Sequence, residues 1–492
     1  MAGYIGNKAV NLSTSGADIS GTANLDAVDI DGNLDVNGGT IKLDGNYPTG
    51  TGNVALGDDA LRDGSLSGGN NTAIGHYALY ANTSGTENTS VGRGNLDANT
   101  TGSHNTALGS TALSSSSTGS YNTALGSLAL NANTTASSNT AVGYQAGYSN
   151  TTGGTNTALG NSSFFTNTTG YGNSSVGWES LYSNTTGALN TAIGRQSLRA
   201  NTTAGNNTAV GYRAAYSNTT GTEMTAVGIE ALYSNTTGNT NSALGRRSLY
   251  SNTTGVNNSA FSARALYTNT TGNYNVAVGM DSLYSNTTAS SNTAVGYQAG
   301  YSNTTGSRNT CLGLESGYSL TTGGRNTLVG NQAGKGITTG TQNTFLGGTN
   351  GSTGSVGEFI TTGSKNTIIG SFDGNQDGLD IRTASNNIVL SDGDGNIGLR
   401  IDGSTHFAYF GDAADTASGA ATLNVAPNPS NNFFAQFWNT AGSAVGSISV
   451  SGGGSATSYT TSSDYRLKEN VNYTWDATTR LKQLKPARFN FI

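Results

Sequence analysis

The tetrapeptide Thr72-Ala73-Ile74-Gly75, led by Asn71, returns along this chain at a fixed step of 17 residues. Copies begin at 71, 88, 105, 122, 139, 156, 173, 190, 207, 224, 241, 258, 275, 292, 309, 326 and 343, seventeen in all, with no insertion or deletion between them. Looser copies flank the array at Asn53-Val54-Ala55-Leu56-Gly57 and Asn366-Thr367-Ile368-Ile369-Gly370. Such spacing predicts a solenoid whose coils stack in register, because one slip would break every ladder between them. At a strand spacing near ~4.8 Å, seventeen coils span roughly 80 Å.

Aligned copies assign a role to each position. The fourth is large and apolar throughout (Ile74, Val91, Leu108, Leu125, Val142), and the third is small until Leu328 and Phe345. The fifth is Gly except at Ser262. An Ala/Ser-Leu/Gly-Tyr stretch follows, as in Ala78-Leu79-Tyr80, then Asn-Thr-Thr-Gly, as in Asn184-Thr185-Thr186-Gly187. This predicts two short strands per coil, joined by turns in which the strand-motif Gly and residues such as Gly187, Gly238 and Gly272 supply φ > 0. The large fourth residue, with a Leu in about half the coils, is the expected core. That core is thin, so several chains packed about a shared apolar axis would stabilise it further.

Asn53-Val54-Ala55-Leu56-Gly57 and Asn275-Val276-Ala277-Val278-Gly279 resemble the repeat of YadA-like trimeric autotransporter heads. Over residues 51–370 the resemblance implies an all-β, left-handed parallel β-roll, with three chains packed around one axis as a homotrimer.

Low hydrophobicity, 34%, often accompanies disorder, but net charge is only −6 and Pro occurs 4 times. A polar, uncharged chain with 72 Gly suits a repetitive β structure as well. No long basic patch precedes residue 460, so no nucleic-acid partner is expected. Met1-Ala2-Gly3-Tyr4-Ile5-Gly6 lacks the basic and apolar regions of a signal peptide, and no stretch approaches ~18 apolar residues, so no membrane insertion is expected. The single cysteine, Cys311, allows no intrachain disulfide.

The ends differ from the array. In residues 1–50, Ile19, Leu25, Val28, Ile30, Leu34, Val36, Ile41 and Leu43 alternate with polar residues, predicting short strands. The opening Gly3-Tyr4-Ile5-Gly6-Asn7-Lys8 resembles the start of some phage tail fibres, which implies docking to phage tail proteins through this region. Residues 371–460 read as a small β module, with strands at 387–390, 398–401, 433–438 and 445–450 and a flexible joint at Gly452-Gly453-Gly454. In residues 461–492, Ala477, Leu481 and Leu484 fall at helical spacing ahead of Pro486.

Ser463-Asp464-Tyr465-Arg466-Leu467-Lys468-Glu469-Asn470-Val471, continued by Leu481-Lys482-Gln483-Leu484-Lys485-Pro486, resembles the start of the endosialidase-type intramolecular chaperone of phage fibres and tailspikes. Measured against that family, residues 461–492 are a truncated start of the module. The resemblance implies that Ser463 is a nucleophile, Lys468 its base and the Ser462–Ser463 bond the site of a single self-cleavage. Residues five apart point to opposite faces of a strand, so a turn or a neighbouring chain has to bring the pair together. Beyond this one-time cut no enzyme activity is expected.

The tenth position of the copy is Tyr in ten of seventeen coils, six of them consecutive from Tyr216 to Tyr301. Two readings stand: an aromatic platform for a surface glycan, and rung-to-rung packing. The segments beginning at Asp29, Asp373 and Asp392 have the first spacings of calcium loops, but Thr40 and Ala384 stand where the first two would need a bidentate Glu; plain turns are expected, with no metal and no cofactor. His76, His104 and His406 are scattered. The Asn-Thr-Thr sequons matter only in a eukaryotic secretory route.

Together these features predict an extracellular phage tail fibre on the virion, mediating host adhesion by binding a cell-surface receptor, a glycan or an outer-membrane component. A bacterial trimeric surface adhesin and a capsule-degrading tailspike are the alternatives. The first lacks an export signal, anchor and heptad stalk in this sequence. The second wants two carboxylates a few ångströms apart, and the repeats place few acids at recurring positions.

Overall fold

The computed structural model describes residues 51–62, 66–349, 354–405 and 407–410, together with strands further on at 422–424, 433–438, 444–451 and 456–461. All of these belong to the unit Asn46–Ile492.

Each coil contributes one three-residue strand. The first are β1 (Val54–Leu56) and β2 (Thr72–Ile74); one strand follows every 17 residues to β18 (Thr344–Leu346), and then β19 (Thr367–Ile369). Neighbours pair in parallel with the repeat in register: Thr208 lies opposite Thr225, Ala209 opposite Ala226 and Val210 opposite Val227. The result is a parallel β-solenoid of about nineteen turns, as the strict spacing requires. The coil carries one strand rather than the two expected. Residues of the other limb do bond from coil to coil, Leu79 N–H to Asn95 O at 3.1 Å and Ala81 N–H to Asp97 O at 3.0 Å, but they are turns rather than extended chain.

The reason is a recurring pattern of positive φ. In the first full coil it falls at Gly75 (+124°), Tyr77 (+59°), Leu79 (+51°) and Glu87 (+58°), and the same positions repeat along the array. Only the first is regularly Gly, with Ser262 at +113° as its substitute. A non-Gly residue in the left-handed region costs about 1–2 kcal/mol, so three such residues per coil need compensation. Each of their N–H groups finds a carbonyl on an adjacent coil: Tyr77 on Asp58, Leu79 on Asn95, Glu87 on Gly69. Gly187, Gly238 and Gly272, expected to supply positive φ, do not. They allow close approach instead: a Cβ on Gly187 would lie 2.2 Å from the Ala204 carbonyl oxygen.

The core reverses the expected assignment. The small third residue points inward and the large fourth points out: Ala73, Ala107 and Ala192 are 0% exposed, whereas Ile74, Leu108 and Ile193 are 37%, 44% and 42% exposed. Adjacent strand residues face opposite sides, and the coil is too narrow for a large side chain there once Ala78 and Leu79 have entered from the other limb. Where the inward residue grows, the ninth position shrinks. Leu328 accompanies Gly334, whose Cβ would meet Leu328 Cδ2 at 2.8 Å; Phe345 accompanies Gly357, whose Cβ would meet the Phe345 ring at 2.3 Å. Volume is conserved within the coil, as tight packing demands.

Two buried asparagine ladders flank this core. At the head of the strand, each Asn accepts the next one's N–H (Asn88 N to Asn71 Oδ1 2.9 Å, Asn292 N to Asn275 Oδ1 3.0 Å). Their Nδ2 groups close turns, as Asn275 does on Ala289 O at 2.9 Å. The second ladder runs from Asn133 to Asn303, each Nδ2 donating to the Oδ1 one coil before, for example Asn167 to Asn150 at 2.7 Å and Asn184 to Asn167 at 2.9 Å. It stops where Leu320 takes the next place, leaving Asn303 Oδ1 buried without a partner. A buried amide is costly unless bonded; here repetition itself supplies the partner.

Beyond β19 come a short hairpin, β20 (Asn375–Gln376) and β21 (Leu379–Asp380), and then β22 (Asn387–Ser391), still parallel to β19. The direction then reverses: β23 (Ile397–Asp402) and β24 (Phe407–Phe410) are antiparallel, covering the last parallel edge. A separate antiparallel sheet holds β25 (Thr422–Asn424), β26 (Phe433–Trp438), β27 (Ala444–Ser451) and β28 (Ala456–Thr461). Gly452-Gly453-Gly454, expected as a joint between modules, falls between β27 and β28, which pair with each other from Gly446–Thr461 to Ser451–Ala456. The predicted strands within 1–50 and the helix around 477–485 lie outside the described residues.

Candidate functional surfaces

Ser463 and Lys468 also lie outside the described residues, as do His406 and the acidic segment at Asp29. The other two acidic segments are turns. Asp392 accepts the N–H groups of Asp394 (3.0 Å) and Asn396 (2.9 Å) on one oxygen and Asn396 Nδ2 (2.9 Å) on the other. Asn396's side chain, opposed by desolvation and helped by these N–H groups, holds the Asp392 carboxyl below its ordinary value. Asp373 caps Asn375 N–H at 2.7 Å beside the β20–β21 hairpin, and burial pushes its carboxyl up. Among the described residues no three His, Cys, Asp or Glu side chains converge as a metal site. His104 stacks on Tyr121 with Nδ1 3.1 Å from Glu87; His76 lies against Tyr77.

The sequon asparagines are structural. Asn184 is fully buried, and its Nδ2 bonds Asn167 Oδ1 and Gly187 O, both at 2.9 Å, so no glycan can be attached in the folded chain. Cys311 takes the inward third position of its strand; burial pushes its thiol up to about 12, which removes the thiolate needed for reactivity.

The tenth-position rings do stack. From Tyr216 through Tyr233, Tyr250, Tyr267, Tyr284 and Tyr301 the run continues one coil further, to Tyr318, with centroids 5.1–5.2 Å apart and planes within 5–11°. A shorter stack, Tyr148–Phe165–Tyr182, precedes it. Arg199 joins the two, its guanidinium 5.1 Å from the Tyr182 ring and 5.9 Å from Tyr216. This rung was legible in the sequence, since Arg199 occupies the tenth position of its copy; planarity and charge let it stand in for a ring. Stacking settles how the rings are used. Their faces cover one another and only edges and hydroxyls reach solvent, so the row packs the rungs and offers no broad platform to a sugar.

Beside the rings runs a row of polar side chains from the seventh position. Arg199 bridges to Glu179 at 2.8 Å, Arg247 to Glu230 at 2.7 Å and Arg264 to Asp281 at 2.7 Å. Lys335 holds Glu315 at 2.8 Å, and this hydrogen bond, against desolvation, keeps the Glu315 carboxyl below its ordinary value.

The strand face is different. Its fourth-position row runs from Leu56 to Ile369; Leu56, Leu125, Leu244, Leu312 and Ile369 are each more than a third exposed, and the valines between them are partly exposed. It is widened by sixth-position residues such as Trp178, Ile229, Met280, Tyr297 and Leu314, again exposed. Eighteen steps from β1 to β19 make this face roughly 85 Å long at ~4.8 Å per step. Monomers rarely expose contiguous apolar patches beyond a few hundred Å². No protein-family model, curated protein or solved structure matches this chain.

Proposed function

We propose that the chain is a structural fibre of a bacteriophage tail, in which three copies wind as left-handed rolls and meet along a common axis through the strand face. The observation that carries this reading is the outward row of Ile, Leu and Val, with Phe261, at the fourth position, apolar in every copy yet unnecessary to the core of one chain. Burying it between copies removes apolar surface from water at about 25 cal/mol per Å². A long roll stiffened by asparagine ladders and stacked rings suits a part that must hold a receptor-contacting surface away from a virion. Residues 1–50 dock to tail proteins, and the exposed limbs and far end meet the host surface.

The terminal segment 461–492 acts as the start of an intramolecular chaperone that aligns the three chains. Ser463 Oγ attacks the Ser462 carbonyl carbon while a neutral Lys468 amine takes its proton. The Ser462–Ser463 C–N bond breaks, the nitrogen takes that proton back, and water hydrolyses the resulting ester.

Intact mass of the full-length protein, denatured and native, tests both parts. A native mass three times the chain mass supports the trimer, and a native monomer overturns it. A chain ending at Ser462 in the wild type but not in Ser463→Ala supports the cut; an uncut wild-type chain overturns it.

A further inference from the structure

At the turns that lead into the strands, the coils between 290 and 342 form a groove of about 510 Å³. Ser290, Ser307, Arg308, Thr322, Arg325 and Thr341 line it, and none of its lining residues is acidic. Arg308 and Arg325 occupy the same position in successive coils, both exposed and both in the left-handed region at +62°. Their backbones are pinned: Arg308 N–H bonds Ser290 O at 3.1 Å and Arg325 N–H bonds Ser307 O at 2.9 Å. Several cations elsewhere are paired, as Arg199, Arg247, Arg264 and Lys335 show. Among the described residues these two guanidiniums have no ion-pair, hydrogen-bond or ring partner.

A second observation singles out the same place. One position before each arginine, a Ser or Asn side chain usually accepts an N–H from the coil before: Asn273 N–H bonds Ser290 Oγ at 3.0 Å and Ser290 N–H bonds Ser307 Oγ at 3.1 Å. The next residue in this row is Gly324, so Ser307 N–H, between the two arginines, has no such acceptor. A Cβ there would lie 3.5 Å from that nitrogen, which shows where a hydroxyl would otherwise sit. Gly69, Gly154 and Gly205 leave the same position bare, and Tyr171, Ala188 and Val256 offer no acceptor there, but no arginines flank any of them.

We infer that this groove binds an oxyanion carried on a glycan: a uronate carboxylate or a sulfate ester. Two guanidiniums one coil apart offer forked donors that match such groups bidentately. Ser307 N–H supplies a fixed donor between them, and the hydroxyls of Ser290, Thr322 and Thr341 suit sugar hydroxyls. Two cations are too few to hold duplex nucleic acid, and no ring lines the groove to stack a single-stranded base. This inference does not rest on the tail-fibre reading.

Calorimetric titration of the full-length protein at low salt, with oligogalacturonate, sulfated dextran and neutral dextran, tests it. Binding to either acidic glycan, weakened by added salt, with none to neutral dextran, is expected; which one binds identifies carboxylate or sulfate as the group. The double variant Arg308→Gln/Arg325→Gln is expected to bind at least tenfold more weakly. Gln is already accommodated here, since Gln342 occupies the same position of the next coil at +59°. Gly324→Ser, which gives Ser307 N–H its missing acceptor without changing charge, is expected to weaken binding severalfold. No binding to either acidic glycan, equal binding to neutral dextran, tighter binding to a single-stranded oligonucleotide, or full affinity in both variants would each overturn the inference.

Discussion

Two rows of apolar side chains run along the outside of this solenoid, and they are not equivalent. On the turn limb, the tyrosines from 216 to 318 stack at 5.1–5.2 Å and satisfy one another within the chain. On the strand face, Leu108, Leu125 and Leu244 remain 40–44% exposed although their own neighbours one coil away are just as apolar. A flat ring covers the next ring when stacked; a branched aliphatic side chain on a pleated strand covers only the flank of the next. Exposure along a repeat therefore does not by itself mark an interface, and side-chain shape decides which row still needs a partner.

The largest effect should come from charging the strand face. Val227→Glu with Val278→Glu is expected to abolish assembly, read as a native mass falling to that of one chain. Tyr250→Glu should leave native mass unchanged, and if it dissociates the protein equally, the distinction between the rows is lost. Next in size is Asn275→Ala, which lies under the strand face. It strands Asn292 N–H and removes one of the two donors to Ala289 O, which keeps Asn286 Nδ2 at 3.1 Å, at a cost of roughly 2–4 kcal/mol for one unsatisfied buried group and one lost hydrogen bond, measurable as a lower urea midpoint.

On the turn limb, Tyr267→Ala removes two stacked contacts, about 1–3 kcal/mol. Tyr267→Phe should keep them and unfold as the wild type does. Smaller still, and of opposite sign, is Met224→Asn. Met224 N–H bonds Asn207 Oδ1 at 3.0 Å, but the thioether cannot pass the ladder on to Asn241. Restoring the amide should raise the urea midpoint by about 1 kcal/mol in stability; a lowered midpoint would mean that the Met224 side chain packs better than the ladder bonds. The smallest effect is Glu315→Gln. Because Lys335 holds the folded carboxyl below its unfolded value, its contribution is present above the unfolded value and fades as pH falls through the folded one. Urea midpoints of wild type and variant should therefore differ near neutral pH and converge in acid.

Much of this was readable in the sequence, for a specific reason. A strict step of 17 with Asn, small, large and Gly in fixed order dictates a register in which like meets like. Parallel stacking and the tyrosine rungs followed from it, while the strands at 387–390, 433–438 and 445–450, outside the array, were legible from their own runs of apolar and β-branched residues. Position 10 of the copy even contained the Arg199 rung.

What periodicity could not fix is which way a residue points in a three-residue strand. Both the third and the fourth positions were apolar, and hydrophobicity alone favoured the larger as core. The coil's width decided otherwise: Ala78 and Leu79 fill the interior from the far limb, Ala73 fits against them, and Ile74 is turned out. The same width explains Leu328 with Gly334 and Phe345 with Gly357, pairs remote enough in the copy to look unrelated. Nor did residue types reveal the left-handed positions at Tyr77, Leu79 and Glu87, since none is a residue that favours that conformation. Sequence by itself determined the number of rungs and their register, because both are set by spacing. Only the tertiary structure decided inside from outside, because that depends on how much space two limbs leave between them.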